Sequence, residues 1–439
     1  MLLNKLSIEG MFSVCKMSAS YNLSACFFIK IFCIIDKRKL FYVFYKKISS
    51  RGLMKITACF TAGGTAGHVF PGLAVMDSFE KLCKEKGLDS DFFWIGSSSG
   101  MEKRLLHEKG ILFFGIQTGK LRRYFSFRNF IDIFKTLAGI IASFYILLKK
   151  RPVIIFSKGG YVSVPPVLAG KILGIPVITH ESDYTPGLAT RINKRFSKLI
   201  MLSFEESKKY FKEKEYNKLM FTGNPVRELF YNTNSNRGKE IASISENIPV
   251  IMVIGGSLGA REINGLTEKL LPQLLKNYYV IHQSGNNEVS EKISKLSEDL
   301  KKRYKRYSFI GNEIADFIAA SDIVISRAGA GLIWELAAIG KASILIPLRG
   351  KGTRGDQVKN AGFLKSKEAA IVLEDKEIIP DNLYNTVVSL ISDKELIKKM
   401  ENKIKELSKP GSADYISQKL FENLKIKHGP GAKHGKEAE

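Results

Sequence analysis

From residue 54 onward the chain alternates short apolar runs with amphipathic segments. ITACF opens the series, a helix is predicted from about Pro71 to Gly87, and DFFWIG, VIIFS, PVITH and KLIML follow. A second series starts with PVIMVIG at 249–255 and continues through YYVIHQS, YSFIG, DIVISRAG and ASILIPL. Strand-like runs alternating with helical segments predict parallel sheets covered by helices on both faces. The same pattern is used twice, so the expected architecture is α/β, with two tandem doubly wound domains and a deep cleft between them. Ligands of such domains sit at the carboxyl ends of the strands. No repeat on the scale of roughly 20–50 residues is visible, which argues against a solenoid.

Residues 1–53 do not share this pattern. Apolar runs such as ACFFIKIFCII and LFYVFY are broken by Lys30 and by Asp36 to Lys39, and none reaches the roughly 18 apolar residues of a spanning helix. No small-residue cleavage pattern follows, so the stretch is a poor signal peptide. A clean strand begins at Met54, and the reading here is that 1–53 is an N-terminal extension arising from a mis-assigned start. The tail after Lys425 is small and polar and is expected to be disordered.

With 439 residues the chain is too long for one ordinary core, which agrees with two domains. A formal charge of +25 predicts an anionic partner. Residues 1–53 carry nine Lys/Arg and two Asp/Glu, so +18 survives without them. No zinc-ligand spacing, aromatic RNA-binding signature or basic heptad region is present, which disfavours nucleic acid and leaves an anionic membrane surface as the partner. The five cysteines show no paired spacing, so neither a disulfide framework nor a metal site is expected.

Four glycine-rich turns follow strands: TAGGTAGHVFPG (61–72), SKGGYVSVP (157–165), GGSLGA (255–260) and SRAGAG (326–331). Glycine lets the backbone approach an anion closely, and N–H groups at the next helix start attract phosphate. One such turn alone is equally a tight connection. None ends in the Gly-Lys-Ser/Thr of nucleotide hydrolases, and no acidic residue is placed to read a nicotinamide ribose. Glu335, in the helix after the fourth turn, could accept hydrogen bonds from vicinal ribose hydroxyls or merely complement the helix dipole. His68 has a pKa near neutrality and could take a proton from an attacking hydroxyl; a structural hydrogen-bonding role is the alternative.

Taken in order, TAGGTAGHVFPGLAV, KGGYVSVP, PVITHES, GNPVR, GGSLGAREIN, HQSG, RAGAGLIWELAAIGKASILIP and DQVKNA resemble the bacterial peptidoglycan N-acetylglucosaminyltransferases, of the GT-B class, over roughly residues 54–424. The resemblance implies two Rossmann-like domains. Their expected division is 54–226 for an acceptor- and membrane-binding domain, 227–409 for a UDP-GlcNAc-binding domain, and 410–424 for a helix returning to the first, with 425–439 as the tail. The implied reaction is inverting transfer of N-acetylglucosamine from UDP-GlcNAc to the C4 hydroxyl of undecaprenyl-diphosphate-linked N-acetylmuramyl pentapeptide. It implies no metal and no cofactor, and no Asp-x-Asp diphosphate motif is seen at a suitable strand end.

Residue by residue, the resemblance implies His68 as the base and Arg227 near the donor phosphates. Ser257 falls on a phosphate contact, the Ile310 backbone on the uracil edge, Glu335 on the ribose and Gln357 on the donor sugar. Thr65, Ala66 and Gly67 in the first turn, and Ala330, Gly331, Leu332, Ile333 and Trp334 in the fourth, complete the donor set. Gly63, Gly64, Gly159, Gly160, Tyr161, Gly255 and Gly256 form the remaining turn positions. Three residues depart from the family pattern. Asp183 replaces an asparagine that would contact the donor sugar, Ala66 replaces a glycine, and Leu332 replaces a threonine. A carboxylate at 183 is unwelcome near UDP unless protonated, paired with something like Arg191, or turned onto sugar hydroxyls.

The segment 121–151 mixes basic residues with Phe, Tyr, Ile and Leu, the composition of an in-plane membrane helix. The resemblance implies a peripheral enzyme on the cytoplasmic face of the inner membrane, with possible contacts to other cell-wall synthesis proteins. Rival readings are a diacylglycerol glycosyltransferase, a UDP-GlcNAc 2-epimerase needing no lipid acceptor, and a non-enzymatic nucleotide-sugar-binding subunit.

Overall fold

The computed structural model describes residues 55–424, apart from 65, 101, 120–126, 257–258, 287–290 and 351–352. The expectations for residues 1–53, for the tail 425–439, for Thr65, Ser257 and the Ala66 side chain, and for 121–126 lie outside the described residues.

The first domain is a seven-stranded parallel sheet. Its strands are β1 (Ile56–Thr61), β2 (Ser90–Ser97), β3 (Leu112–Ile116), β4 (Ile154–Ser157), β5 (Val177–Glu181), β6 (Leu199–Leu202) and β7 (Leu219–Phe221), in the order β3-β2-β1-β4-β5-β6-β7. The second is a six-stranded parallel sheet of β8 (Val250–Ile254), β9 (Tyr279–Gln283), β10 (Tyr304–Tyr307), β11 (Ile323–Ser326), β12 (Ser343–Leu345) and β13 (Ile371–Val372), in the order β10-β9-β8-β11-β12-β13. Both orders reverse direction beside their first strand, which opens a crevice there for a ligand. The central strands β4, β5, β8 and β11 are buried at every position; β8 is apolar throughout, whereas β5 ends in the buried polar residues Thr179, His180 and Glu181 at the edge of the cleft.

Three local expectations are corrected. The first helix runs Ala66–Glu85, so it starts before Pro71 and contains it. Pro71 is its sixth residue, just beyond the first turn, where its missing N–H removes one intrahelical hydrogen bond. The edge strand expected at YSFIG is YKRY instead, half-buried, with two adjacent charges between tyrosines, so its apolar signal is weak. The third is an omission: the edge strands β3 and β7, with partly exposed positions, are not among the strands read from the sequence although LFFGI and LMF are apolar.

The helix Ser412–Glu422 packs on the helix Ala66–Glu85. Ile416 and Leu420 are fully buried in the first domain's core, and Ser417 Oγ donates to the Val75 carbonyl at 3.1 Å. Burying two such side chains is worth roughly 1.5–3 kcal/mol each, enough to tie the chain's end to its beginning.

Candidate active site

A cleft of about 1010 Å³ opens where the carboxyl ends of the two sheets face each other. From the first domain it is lined by Gly67, His68, Phe70, Ser182, Asp183 and Asn224. From the second it is lined by Gly255, Gly256, Ile310, Ala330, Gly331, Leu332, Glu335, Arg354 and Gln357, with Arg227 at the junction. The two helix starts nearly touch: a methyl on Gly331 would lie 3.5 Å from the Gly67 Cα. Two sets of helix-start amides therefore converge on one space, as anion binding requires.

The first and third glycine turns lock into each other. Gly160 has φ 77°, and a Cβ there would lie 2.3 Å from the Gly63 carbonyl oxygen, so only glycine fits. Tyr161 packs against Gly64. Gly63, Gly64, Gly159, Gly160 and Tyr161 thus shape the floor beneath His68 and are not among the cleft's lining residues. The His68 Nδ1 is buried with no hydrogen-bond partner among the described residues. Burial, then the charges of Lys158 and Arg354, push its imidazole down to about 3, so it is neutral at pH 7.

Beneath His68, strand β4 is followed directly by Lys158, a fully buried ammonium bonded to Ser182 Oγ. Burial pulls it down to about 7, against the pull of Glu181 and Asp183. Glu181 organises the next loop by accepting the Asp183 and Gly187 amides at 3.0 and 2.8 Å. That loop carries Asp183 into the cleft. Asp183 pairs with Arg354 of the other domain at 2.8 Å, not with Arg191, whose Nε donates to the Pro186 carbonyl.

Arg227 stacks its guanidinium 4.3 Å from the Phe70 ring and 4.9 Å from Phe230, and Nη2 reaches Glu335 Oε1 at 3.4 Å. Its Nε is buried and unpartnered among the described residues. Burial pushes the Glu335 carboxyl up to about 7, with Arg227 pulling it down. Ile333 and Trp334 turn into the core at 2% and 4% exposure, so only their backbone can serve the cleft. The Ile310 N–H is already donated to Gln283 Oε1 at 2.9 Å, which leaves the carbonyl as its open edge. Gln283 also reaches the Gly256 carbonyl at 3.1 Å, bracing the third glycine turn. Gln357 Oε1 accepts the Leu348 amide at 2.8 Å. Among the described residues no group of three His, Cys, Asp or Glu side chains is arranged to hold a metal ion.

Sequence reasoning missed Lys158, Gln283, Arg354 and Asn360. Three of them lie inside KGGYVSVP, HQSG and DQVKNA, and Arg354 lies two residues before the last. Adjacency to a motif was the available signal, while their partners are distant in sequence.

The comparisons with known proteins agree with this geometry. The glycosyltransferase family 28 N-terminal domain matches residues 58–202 and the family 28 C-terminal domain matches residues 250–416. A Treponema denticola protein named UDP-N-acetylglucosamine--N-acetylmuramyl-(pentapeptide) pyrophosphoryl-undecaprenol N-acetylglucosamine transferase is 44% identical over 78% of this chain and 91% of its own length. A Borreliella burgdorferi protein of the same name is 42% identical over 83% of this chain and 96% of its own. The crystal structure of Acinetobacter baumannii MurG superposes with a TM-score of 0.62 at 24% identity, covering 84% of this chain and 99% of that one. A UDP complex of Staphylococcus aureus MnaA gives 0.61 at 14% identity, covering 85% and 98%, which speaks to the fold alone. With both domain matches in chain order and whole-length relatives above 40% identity, the chain belongs to glycosyltransferase family 28.

Proposed function

We propose that the protein transfers N-acetylglucosamine from UDP-GlcNAc to the C4 hydroxyl of lipid-linked N-acetylmuramyl pentapeptide, with inversion at the anomeric carbon. The observation that carries this reading is the single cleft in which helix starts from both domains converge beside Arg227, Glu335 and His68. The names of the whole-length relatives supply the donor and the acceptor.

In this reading UDP lies on the second domain. Ribose hydroxyls donate to the Glu335 carboxylate, and the Ile310 carbonyl meets the base. The diphosphate faces the amides at Gly256 and Ala330–Leu332 with Arg227. As the sugar departs, negative charge grows on UDP, and fixed amides and a guanidinium stabilise it without reorganising. His68 accepts the hydroxyl proton; the diphosphate's negative charge raises its basicity when the donor is bound.

The acceptor is a membrane lipid, and the helix Phe127–Lys150 suits a membrane surface. Its inward positions are Asp132, Thr136, Gly139, Ser143 and Leu147, whereas Ile131, Phe134, Ile141, Tyr145 and Leu148 face outward and exposed. The polarity is reversed from that of a core helix. By length and composition Ile131–Lys150 could cross a bilayer. Its buried polar face, with Thr136 Oγ1 on the Asp132 carbonyl and Gly139 packed beside the Gln117 carbonyl, belongs to the domain, which supports an in-plane, peripheral attachment.

The test is UDP release from UDP-GlcNAc with a short-chain lipid-linked muramyl pentapeptide. Acceptor-dependent release with a disaccharide product is expected, and His68→Ala should lower kcat by about 100- to 10,000-fold. Conversion of UDP-GlcNAc to its 2-epimer without acceptor would overturn the proposal.

A further inference from the structure

Asp183 places a carboxylate in a cleft that, on the reading above, must take a diphosphate. The opposite domain answers it. Arg354 Nη2 lies 2.8 Å from Asp183 Oδ2 and 3.1 Å from Asp356 Oδ2. Asn360 Nδ2 donates to Asp183 Oδ1 at 3.1 Å and to the Ala328 carbonyl at 3.1 Å, and its Oδ1 accepts the Tyr184 amide at 2.9 Å. Ala328 immediately precedes Gly329, the cap of the helix Ala330–Ile339. Through Asn360 the ion pair is thus tethered next to the helix start that lines the cleft.

The guanidinium is only partly used. Nη2 carries both ion pairs, and neither Nε nor Nη1 donates to a protein acceptor among the described residues. Two carboxylates share one cation, so this cluster is net negative before any ligand arrives. The space that admits the guanidinium depends on Gly187, where a Cβ would stand 2.3 Å from Arg354 Nη1. Arg354 also lines the cleft directly.

We propose that Arg354 is a donor-binding residue, held at the cleft wall by Asp183 and Asp356 in the empty protein and passing its hydrogen bonds to the diphosphate of the UDP-sugar when that binds. Asp183 is then its resting partner. A diphosphate offers more charge and more acceptor oxygens than one carboxylate, and an arginine fork matches it bidentately, so the exchange runs toward the ligand. Arg354 and Arg227 would flank the leaving UDP from opposite sides of the helix start. The inference rests on the UDP-sugar reading of the cleft.

The test measures binding of UDP and of uridine, which lacks phosphate, to the full chain and to four variants. Arg354→Gln is expected to weaken UDP about 10- to 100-fold, the range for losing a charged hydrogen bond, and to leave uridine within about twofold. Asp183→Asn should tighten UDP, and the double variant should bind as weakly as Arg354→Gln. Arg354→Lys, which keeps the charge but not the fork, should fall between. Wild-type affinity in the double variant would overturn the proposal, because Arg354 would then only neutralise Asp183. Equal loss of uridine and UDP in Arg354→Gln would overturn it too, by showing a structural role. If the unaltered protein binds neither UDP nor uridine, the UDP-sugar reading itself fails.

Discussion

The outward face of the helix Phe127–Lys150 allows a quantitative test of membrane attachment. Ile141 and Tyr145 are 59% and 65% exposed, and both lie on the side away from the sheet. Full burial of such a side chain is worth roughly 1.5–3 kcal/mol, so burying the exposed part of each in a bilayer surface is worth about 1–2 kcal/mol. Replacing both by serine should therefore cost about 2–4 kcal/mol of partitioning, at least about 30-fold in the vesicle binding constant. Because neither residue belongs to the core, unfolding stability should change by less than about 0.5 kcal/mol for each. The assay is sedimentation with vesicles of anionic lipid, repeated at high salt and with neutral lipid. Lys135, exposed on the same helix, adds an electrostatic part that salt and neutral lipid should reduce. Equal partitioning of wild type and the double variant would refute the reasoning, since the apolar stripe would then not touch the lipid. A large loss of stability in the variant would refute it differently, by showing that the stripe is packed in the folded protein.

Two further outcomes follow from the buried ionisable groups. Donor affinity should rise with pH through about 7, because the deprotonated Glu335 is the form that accepts hydroxyl hydrogen bonds; Glu335→Gln should lose that component and raise KM for UDP-GlcNAc by about tenfold or more, read from initial rates across pH. Burial holds the imidazoles of His68 and His282 down to about 3 and about 4 and that of His180 well below its ordinary value, so the unfolded chain binds more protons as pH falls below about 6.5. Glu335 has the opposite sign, with a cost that grows as pH rises from 4.5 toward about 7, but three histidines outweigh it, so stability by urea titration should fall from pH 7.5 to pH 5, and unchanged stability would sink this account.

The legible parts of the molecule were those set by local chemistry. A central strand such as β8 is buried on both faces and apolar throughout, so it could be read directly, and β5 was legible from its apolar start although it ends in buried polar residues. Edge strands need only one buried face, which is why YKRY at β10 was passed over for the more apolar residues beside it. The glycine turns were visible as glycine clusters at strand ends, with positive φ at Gly64, Gly159, Gly160 and Gly256, but their division of labour was not. Gly63 and Gly160 pack on each other, whereas Gly255 and Gly256 line the cleft, and this depends on how strand ends meet in space. Asp183 could be identified as an electrostatic problem from sequence. Its solution, Arg354, lies 171 residues away in the other domain, and no periodicity links the two.

That separation bears on how the site would work. After burial itself, the charges that depress His68 are Lys158 beneath it and Arg354 across the cleft. Lys158 is fixed, fully buried between Ser182 and the carboxylates of Glu181 and Asp183. On the proposal above Arg354 is the adjustable charge, because it would exchange its carboxylate partners for phosphate. An arriving diphosphate adds negative charge beside the imidazole and engages that guanidinium at once, and both changes raise the basicity of His68. On the proposed reading His68 is neutral and weakly basic until the donor binds, and donor binding then strengthens the base that the reaction would need. On this logic the acceptor hydroxyl gains a competent proton acceptor only after UDP-GlcNAc is in place, so the charge arrangement would favour donor binding before chemistry.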